Sequence, residues 1–328
     1  MNIGIALGYS PAMISKRTLL AEAVHAGVRL DAFIIDCIPT SSRSLVVQAI
    51  EKRWLMVNGR WEKKGYKLSP GDVVTIERLL EQSDWKAVPN PAVKIPVIHE
   101  ETDFLVINKP AGLPVHPLDP AETDTVVNGL LAQYPELAGV GPDPLFPAIV
   151  HRLDTETSGV MLVARNKDTY NLFRRQFRER RVTKTYVALA TGVVNEGGRL
   201  EHRLTHSSSG PHRMLVADDL EPKAMLSITE YTIRRSFPKH TLLNVVIKTG
   251  VTHQIRCQLA HAGHPLAGDS LYGSKDADAG YEGRLFLHAE ELSFPDSVTG
   301  AERTFVADLP QELQQWLNRP SRALDAPG

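Results

Sequence analysis

Beyond residue 94 the sequence is dominated by short apolar segments of strand length: PVIHE, DFLVIN, GVMLVAR, TYVALAT, HRMLVA, SITEYTIRR, LLNVVIK and LFLHAEELSF. A chain patterned this way builds a sheet with buried side chains. Helical spacing interrupts the segments at four places, DTVVNGLLAQY, DTYNLFRRQFRER, THQIRCQLAHAG and LPQELQQWL. Strands in runs, with helices segregated among them, predict an α+β domain on a mixed, mainly antiparallel sheet with flanking helices. No internal repeat or low-complexity tract is visible.

The 328 residues give length for about two domains. Residues 79–93, LLEQSDWKAVPNPAV, carry two prolines and no period and read as a linker. Ahead of them, 27–78 reads as a small α/β domain. In VRLDAFIIDC, Leu30, Phe33, Ile34 and Cys37 have helical spacing, and Pro39 ends the helix. Ser41 or Ser42 caps a second helix with Leu45, Val46, Ala49 and Ile50 inside. A short strand, a turn at Asn58-Gly59, a turn at Pro70-Gly71 and a last strand complete a β ribbon. Residues 1–26 show no pattern and are expected to be a loosely held extension. The main α+β domain is then 94–320.

Composition narrows the setting. Apolar content of 42% and charged content of 23% suit an ordinary soluble protein. A net charge of -1 excludes a chain coated in positive charge but not local basic patches. Two cysteines, Cys37 and Cys257, make neither a disulfide framework nor a zinc set, and fit a reducing cytosol. The first residues, MNIGIALGYSPAMISKR, lack the charged stretch and apolar core of a secretory signal. No run approaches the roughly 18 apolar residues of a membrane span. A cytoplasmic monomer without a membrane partner is expected.

Charge is unevenly placed. Between Arg165 and Tyr186 stand Arg165, Lys167, Arg174, Arg175, Arg178, Arg180, Arg181 and Lys184, against Asp168 and Glu179, a balance of +6 in a chain of net -1. A solvated helix face usually mixes its signs, and a one-sided stripe suits phosphate. The 27–78 segment is milder, with nine basic residues against six acidic ones.

The stretch HRLDTETSG, His151 to Gly159, puts Arg152 and Asp154 two apart. In a strand or loop they would share one face, and Ser158-Gly159 reads as a turn into the apolar run that follows. Catalysis and a plain salt bridge are both open on this stretch alone.

Four segments belong together: NKPAGLPVHP (Asn108 to Pro117), HRLDTETSG, KTYVAL with Lys184 and Tyr186, and KTGVTHQIRCQLAHAGHPLAGDSLYG (Lys248 to Gly273). With these blocks in this order, residues 94 to 300 resemble the RluA family of pseudouridine synthases. RLDAF, SRS, VNG and LSPGD make the small domain similar to the alpha-L RNA-binding module, named for a small-subunit ribosomal protein. The pairing resembles the RluD and RluC branches, which modify large-subunit ribosomal RNA.

The resemblance implies an isomerase that cuts a uridine's N-glycosidic bond, turns the base and rejoins it to the ribose through carbon, without cofactor or metal. It implies that Asp154 is the catalytic carboxylate and Arg256 its permanent cation. A close arginine favours an ionised carboxylate that burial would otherwise disfavour. Tyr186 matches the aromatic that stacks on the flipped base, and stacking is worth about 1–3 kcal/mol per base. Unstacking the uridine costs a similar few kcal/mol. Arg152 matches the arginine that fills the vacated place. His151, His253, Lys184, Arg174 and Arg178 are expected to meet substrate or RNA, as are Arg43, Lys52 and Arg60 of the small domain. A metal reading of His151, His253, His261 and His264 lacks partners at ligand spacing. One departure stands out. The family's arginine after the motif glycine is Val251 here, which is expected to weaken an RNA or loop contact. The same chemistry on tRNA, and a ribosome-assembly factor that binds RNA without chemistry, are the competing readings.

Overall fold

The computed structural model describes residues 16–81, 84–207, 213–218, 221–273 and 281–319. The chain divides into two compact units. The first holds the described residues up to Val88 together with Leu118–Thr123, and the second holds Pro89–Pro117 and the chain from Asp124 onward.

In the first unit, β1 (Arg17–Leu20), α1 (Leu30–Cys37), α2 (Arg43–Glu51), β2 (Leu55–Val57) and β3 (Val73–Ile76) follow in order. The strands form an antiparallel sheet in the order β1-β3-β2. Leu30, Phe33, Ile34, Val46, Ala49, Val74 and Ile76 fill its core. Ser42 is the helix cap, its Oγ accepting from the Leu45 N–H, while Ser41 Oγ donates to the Leu80 carbonyl. Three expectations change here. Residues 17–26 are not an extension: Arg17–Leu20 pairs with Leu20↔Val73 through Arg17↔Ile76, and Ala21 is in the core. Residues 1–15 lie outside the described residues. Leu79, Leu80, Ala87 and Val88 are buried, so the expected linker is packed at these positions. Cys37 is exposed and Ile38 takes the buried position after it.

The second unit contains β4 (Val97–Glu100), β5 (Phe104–Lys109), α3 (Val126–Gln133), β6 (Ser158–Ala164), α4 (Lys167–Arg178), β7 (Thr183–Thr191), β8 (Gly198–His206), β9 (Met214–Val216), β10 (Met225–Ser236), β11 (His240–Ile247), α5 (Gln254–His261), β12 (Leu287–Pro295), β13 (Glu302–Val306) and α6 (Gln311–Leu317). Its ten strands make one sheet in the order β4-β5-β6-β12-β7-β11-β10-β8-β9, with β13 on β12. Only the β6–β12 pair is parallel, so the sheet is mixed and mainly antiparallel, as the strand runs predicted. All seven residues of β6 are buried, which explains its continuous apolar run.

Ser158-Gly159 is not a turn. The turn lies at Thr155-Glu156, closed by the Thr157 N–H on the Asp154 carbonyl at 3.1 Å. Gly159 already sits in β6 at φ 122°, and a Cβ there would lie 2.1 Å from the Ala289 carbonyl oxygen of β12. The glycine lets the central parallel pair close.

Candidate active site

Two hydrogen bonds to one carbonyl aim the HRLD loop. Lys109, at the end of β5, is wholly buried, and its Nζ donates to the carbonyls of Pro110, Leu113 and Thr155 at 2.7, 2.7 and 2.9 Å. Burial pulls this amine down to about 7, and three carbonyls around one nitrogen favour the ammonium, which alone has three donors. The Gly112 N–H also donates to the Thr155 carbonyl. The NKPAGLP loop therefore grips the residue next to Asp154.

The opposite wall is the start of α5. Gln254 accepts from Thr249 Oγ1 at 2.8 Å and donates to the Ile228 carbonyl at 2.8 Å, and Gln258 donates to the Ser227 carbonyl at 3.1 Å. These bonds fasten the helix to β10 and leave Arg256 facing the loop. The arginine has two carboxylates. Asp269 holds Nε and Nη2 at 2.8 Å each, and Asp154 Oδ2 takes Nη1 at 3.4 Å. Burial opposes charge on Arg256 and Asp269, but their bidentate bond outweighs it. Asp269 lies below the usual carboxylate range and Arg256 above its own. Asp269 also accepts the Leu271 and Tyr272 N–H groups at 3.0 Å.

A cavity of about 170 Å³ opens between these walls, and Arg152, Asp154, Lys184, Tyr186, His253 and Arg256 all line it. Arg152 is exposed, with no ion pair among the described residues. Tyr186, on β7, is 6% exposed, and burial pushes its phenol above the ordinary value. Lys184, two residues away on the same strand, donates to the Thr249 carbonyl at 2.7 Å, and burial draws it down to about 8.

The other expected contacts divide. His151 is turned into the fold: its Nε2 accepts the Leu162 N–H at 2.9 Å, its ring stacks on Phe177, and burial lowers it to about 3. It is a structural histidine away from the cavity. Arg174 donates to the Val150 carbonyl at 3.1 Å and so supports the HRLD loop from α4. Arg178 is exposed and has no ion pair among the described residues, as do Arg175, Arg180 and Arg181. In the first unit Arg43 pairs with buried Asp31 at 3.3 Å and Lys52 with Asp119 at 2.6 Å, while Arg60 is exposed with no ion pair among the described residues. Trp61, unremarked in the sequence, is 59% exposed beside Arg53, Lys63 and Lys64. Val251 packs against the apolar cluster of Leu204, Met214 and Cys257.

A carboxylate beside a clamped arginine and an aromatic ring thus share one small cavity of the mixed sheet. The RNA pseudouridylate synthase family model matches residues 103–261. Ribosomal large subunit pseudouridine synthase D of Neisseria meningitidis serogroup B is 33% identical over 302 residues, 89% of this chain and 79% of that protein. The protein of the same name from Yersinia pestis is 33% identical over 305 residues, 89% of this chain and 90% of that one. The solved human RNA pseudouridylate synthase domain containing 4 is 27% identical with a TM-score of 0.55, covering 70% of this chain and 92% of its own. This chain belongs to the RluA family of RNA pseudouridine synthases. Among the described residues no helix is long and apolar enough to cross a membrane.

Proposed function

We propose that this isomerase converts uridines of large-subunit ribosomal RNA to pseudouridine, with Asp154 as its catalytic carboxylate. The observation that carries the reading is the Asp154–Arg256–Tyr186 arrangement around one small cavity. A cavity this small excludes a duplex, so the target uridine must be drawn out of its stack to reach Asp154. In the reaction the bond from N1 of uracil to C1′ breaks and a bond from C5 to C1′ forms. The proton on C5 leaves and N1 gains one, so atoms balance without oxidant or metal. Asp154 meets the sugar or base, Arg256 holds it by its Oδ2, Tyr186 stacks on the base and Arg152 fills the space the base leaves. The relatives' names favour large-subunit ribosomal RNA over tRNA and over binding without chemistry.

The one-sided Arg175, Arg178, Arg180 and Arg181 surface supports a phosphate track. The first unit is read as an RNA-binding domain meeting RNA through Arg60 and the surface around exposed Trp61, since Arg43 and Lys52 already have carboxylate partners. We read the protein as a cytoplasmic monomer. The test is pseudouridine mapping by carbodiimide adducts and primer-extension stops in cells with wild type, Asp154→Asn or no protein. Large-subunit stops present only with wild type support both reaction and site. Stops kept in Asp154→Asn refute the site, and stops lost from tRNA alone refute the substrate.

A further inference from the structure

His253 begins α5 in the left-handed conformation, at φ 53°. Its Nδ1 lies 3.1 Å from the hydroxyl of Tyr272, and its Nε2 lies 3.9 Å from Asp154 Oδ2. The Tyr272 hydroxyl is in turn 2.7 Å from the backbone N–H of Met214, in β9. An amide nitrogen only donates, so the phenol oxygen is the acceptor there. That leaves the phenol's own hydrogen free to be donated to His253 Nδ1. A neutral imidazole that accepts at Nδ1 carries its proton on Nε2. Burial lowers the pKa of His253, which favours the neutral ring.

The polarity has a consequence at the carboxylate. Arg256 Nη1 and His253 Nε2 both face Oδ2 of Asp154. Oδ2 thus has the arginine's hydrogen bond, and Oδ1 has none among the described residues. The 3.9 Å separation becomes a hydrogen bond after a shift of about 1 Å.

We propose that Tyr272 is a positioning residue which fixes His253 as the Nε2–H tautomer, so that a second donor beside Arg256 holds Asp154 Oδ2 and leaves Oδ1 to react. The inference rests on the reading of Asp154 as the catalytic carboxylate. Through the Met214 amide the relay also ties the β8–β9 hairpin to that oxygen.

The test is ¹⁵N NMR of histidine-labelled protein above neutral pH, with His253 assigned by the signals missing from His253→Gln. Wild type is expected to show a protonated Nε2 and an accepting Nδ1. In Tyr272→Phe, which keeps the ring near the Arg213 and Arg256 guanidiniums, the two tautomers mix. Its single-turnover rate on a large-subunit transcript falls about five- to tenfold, the worth of one hydrogen bond, with RNA affinity unchanged. His253→Gln, which can place an N–H near Asp154, retains more rate than His253→Ala. A wild-type His253 protonated at Nδ1 overturns the proposal even if Tyr272→Phe fails to fold. So does a Tyr272→Phe protein with unchanged tautomer and rate. An active Asp154→Asn refutes the underlying catalytic assignment instead, and the tautomer measurement is independent of it.

Discussion

Asp269→Asn isolates the charge that holds Arg256. Asparagine keeps an oxygen in place of Oδ1, so the Leu271 and Tyr272 N–H groups retain their acceptor. It loses the bidentate carboxylate, in which both Arg256 bonds are 2.8 Å and the side chains are 7% and 0% exposed. Removing one partner of a buried ion pair costs about 3–5 kcal/mol. Asp154 remains as a counterion at 3.4 Å, so the lower end, about 3 kcal/mol, is expected. For a domain of this size that is a fall in Tm of about 6–12 °C. The released guanidinium then turns toward Asp154 and pulls the carboxylate out of line. A displacement of about 1 Å costs on the order of a hundredfold in rate. The assay is release of tritium from C5-labelled uridine in a large-subunit transcript, beside a thermal melt. The expected result is a lower kcat, little change in KM and a lower Tm. A variant with wild-type Tm and kcat would show that Asp154 alone suffices to hold Arg256, and the two-carboxylate reasoning would fall.

His151→Gln tests a linkage. Its pKa is lowered to about 3 against an ordinary 6.5, so the unfolded chain binds a proton that the fold refuses as pH falls. Wild type should lose about 1.4 kcal/mol per pH unit from this group between pH ~6.5 and ~3. Glutamine can accept the Leu162 N–H without titrating, so its acid-unfolding limb should be shallower by one proton, and an equal slope counts against a buried neutral imidazole. Gly159→Ala must place a Cβ 2.1 Å from the Ala289 carbonyl at φ 122°; a loss above about 3 kcal/mol is expected in urea unfolding, and a near-neutral result would mean that β6 and β12 are not paired this closely. Arg178→Gln should weaken RNA binding and reduce the salt slope by about 0.7–0.9, the share of one phosphate contact. Arg174→Gln should also lower Tm, because it frees the Val150 carbonyl; equal melts for the two would remove that support role.

The strands legible in the sequence were those whose residues are apolar for a structural reason. The run in β6 is continuous because that strand is buried on both faces, and β7 is buried for most of its length. GRLEHRLTH, by contrast, carries charge at alternate positions and ERTFV opens on the adjacent pair Glu302-Arg303, so polar composition hides the period in both. The edge strand Arg17–Leu20 was missed for a related reason: four residues are too few to show a period, and Leu20 is 60% exposed. Ser158-Gly159 looked like a turn because glycine is ambiguous in sequence. Here its small size serves a close approach by a strand 130 residues away, which no local pattern contains.

The site shows the same division between what a motif carries and what only packing reveals. The motifs placed Asp154, Tyr186, Arg152 and Arg256 in one cavity, because each comes from a short block whose neighbours fix its backbone. They were silent on which groups orient these four. Lys109 lies in a quoted block, yet its bonds are to carbonyls, which the sequence does not display. Asp269 lies in another, but an aspartate before Ser-Leu-Tyr reads as a loop residue until Arg256 is seen against it. The two carboxylates explain the choice of arginine more fully than Asp154 alone. A lysine offers one nitrogen and could neutralise one acid or sit between two. The planar fork gives two parallel bonds to Asp269 and still presents a third nitrogen to Asp154. Asp269 keeps the guanidinium rigid, so the bond to Asp154 can stay the longer one, as the proposed catalytic role of that carboxylate requires.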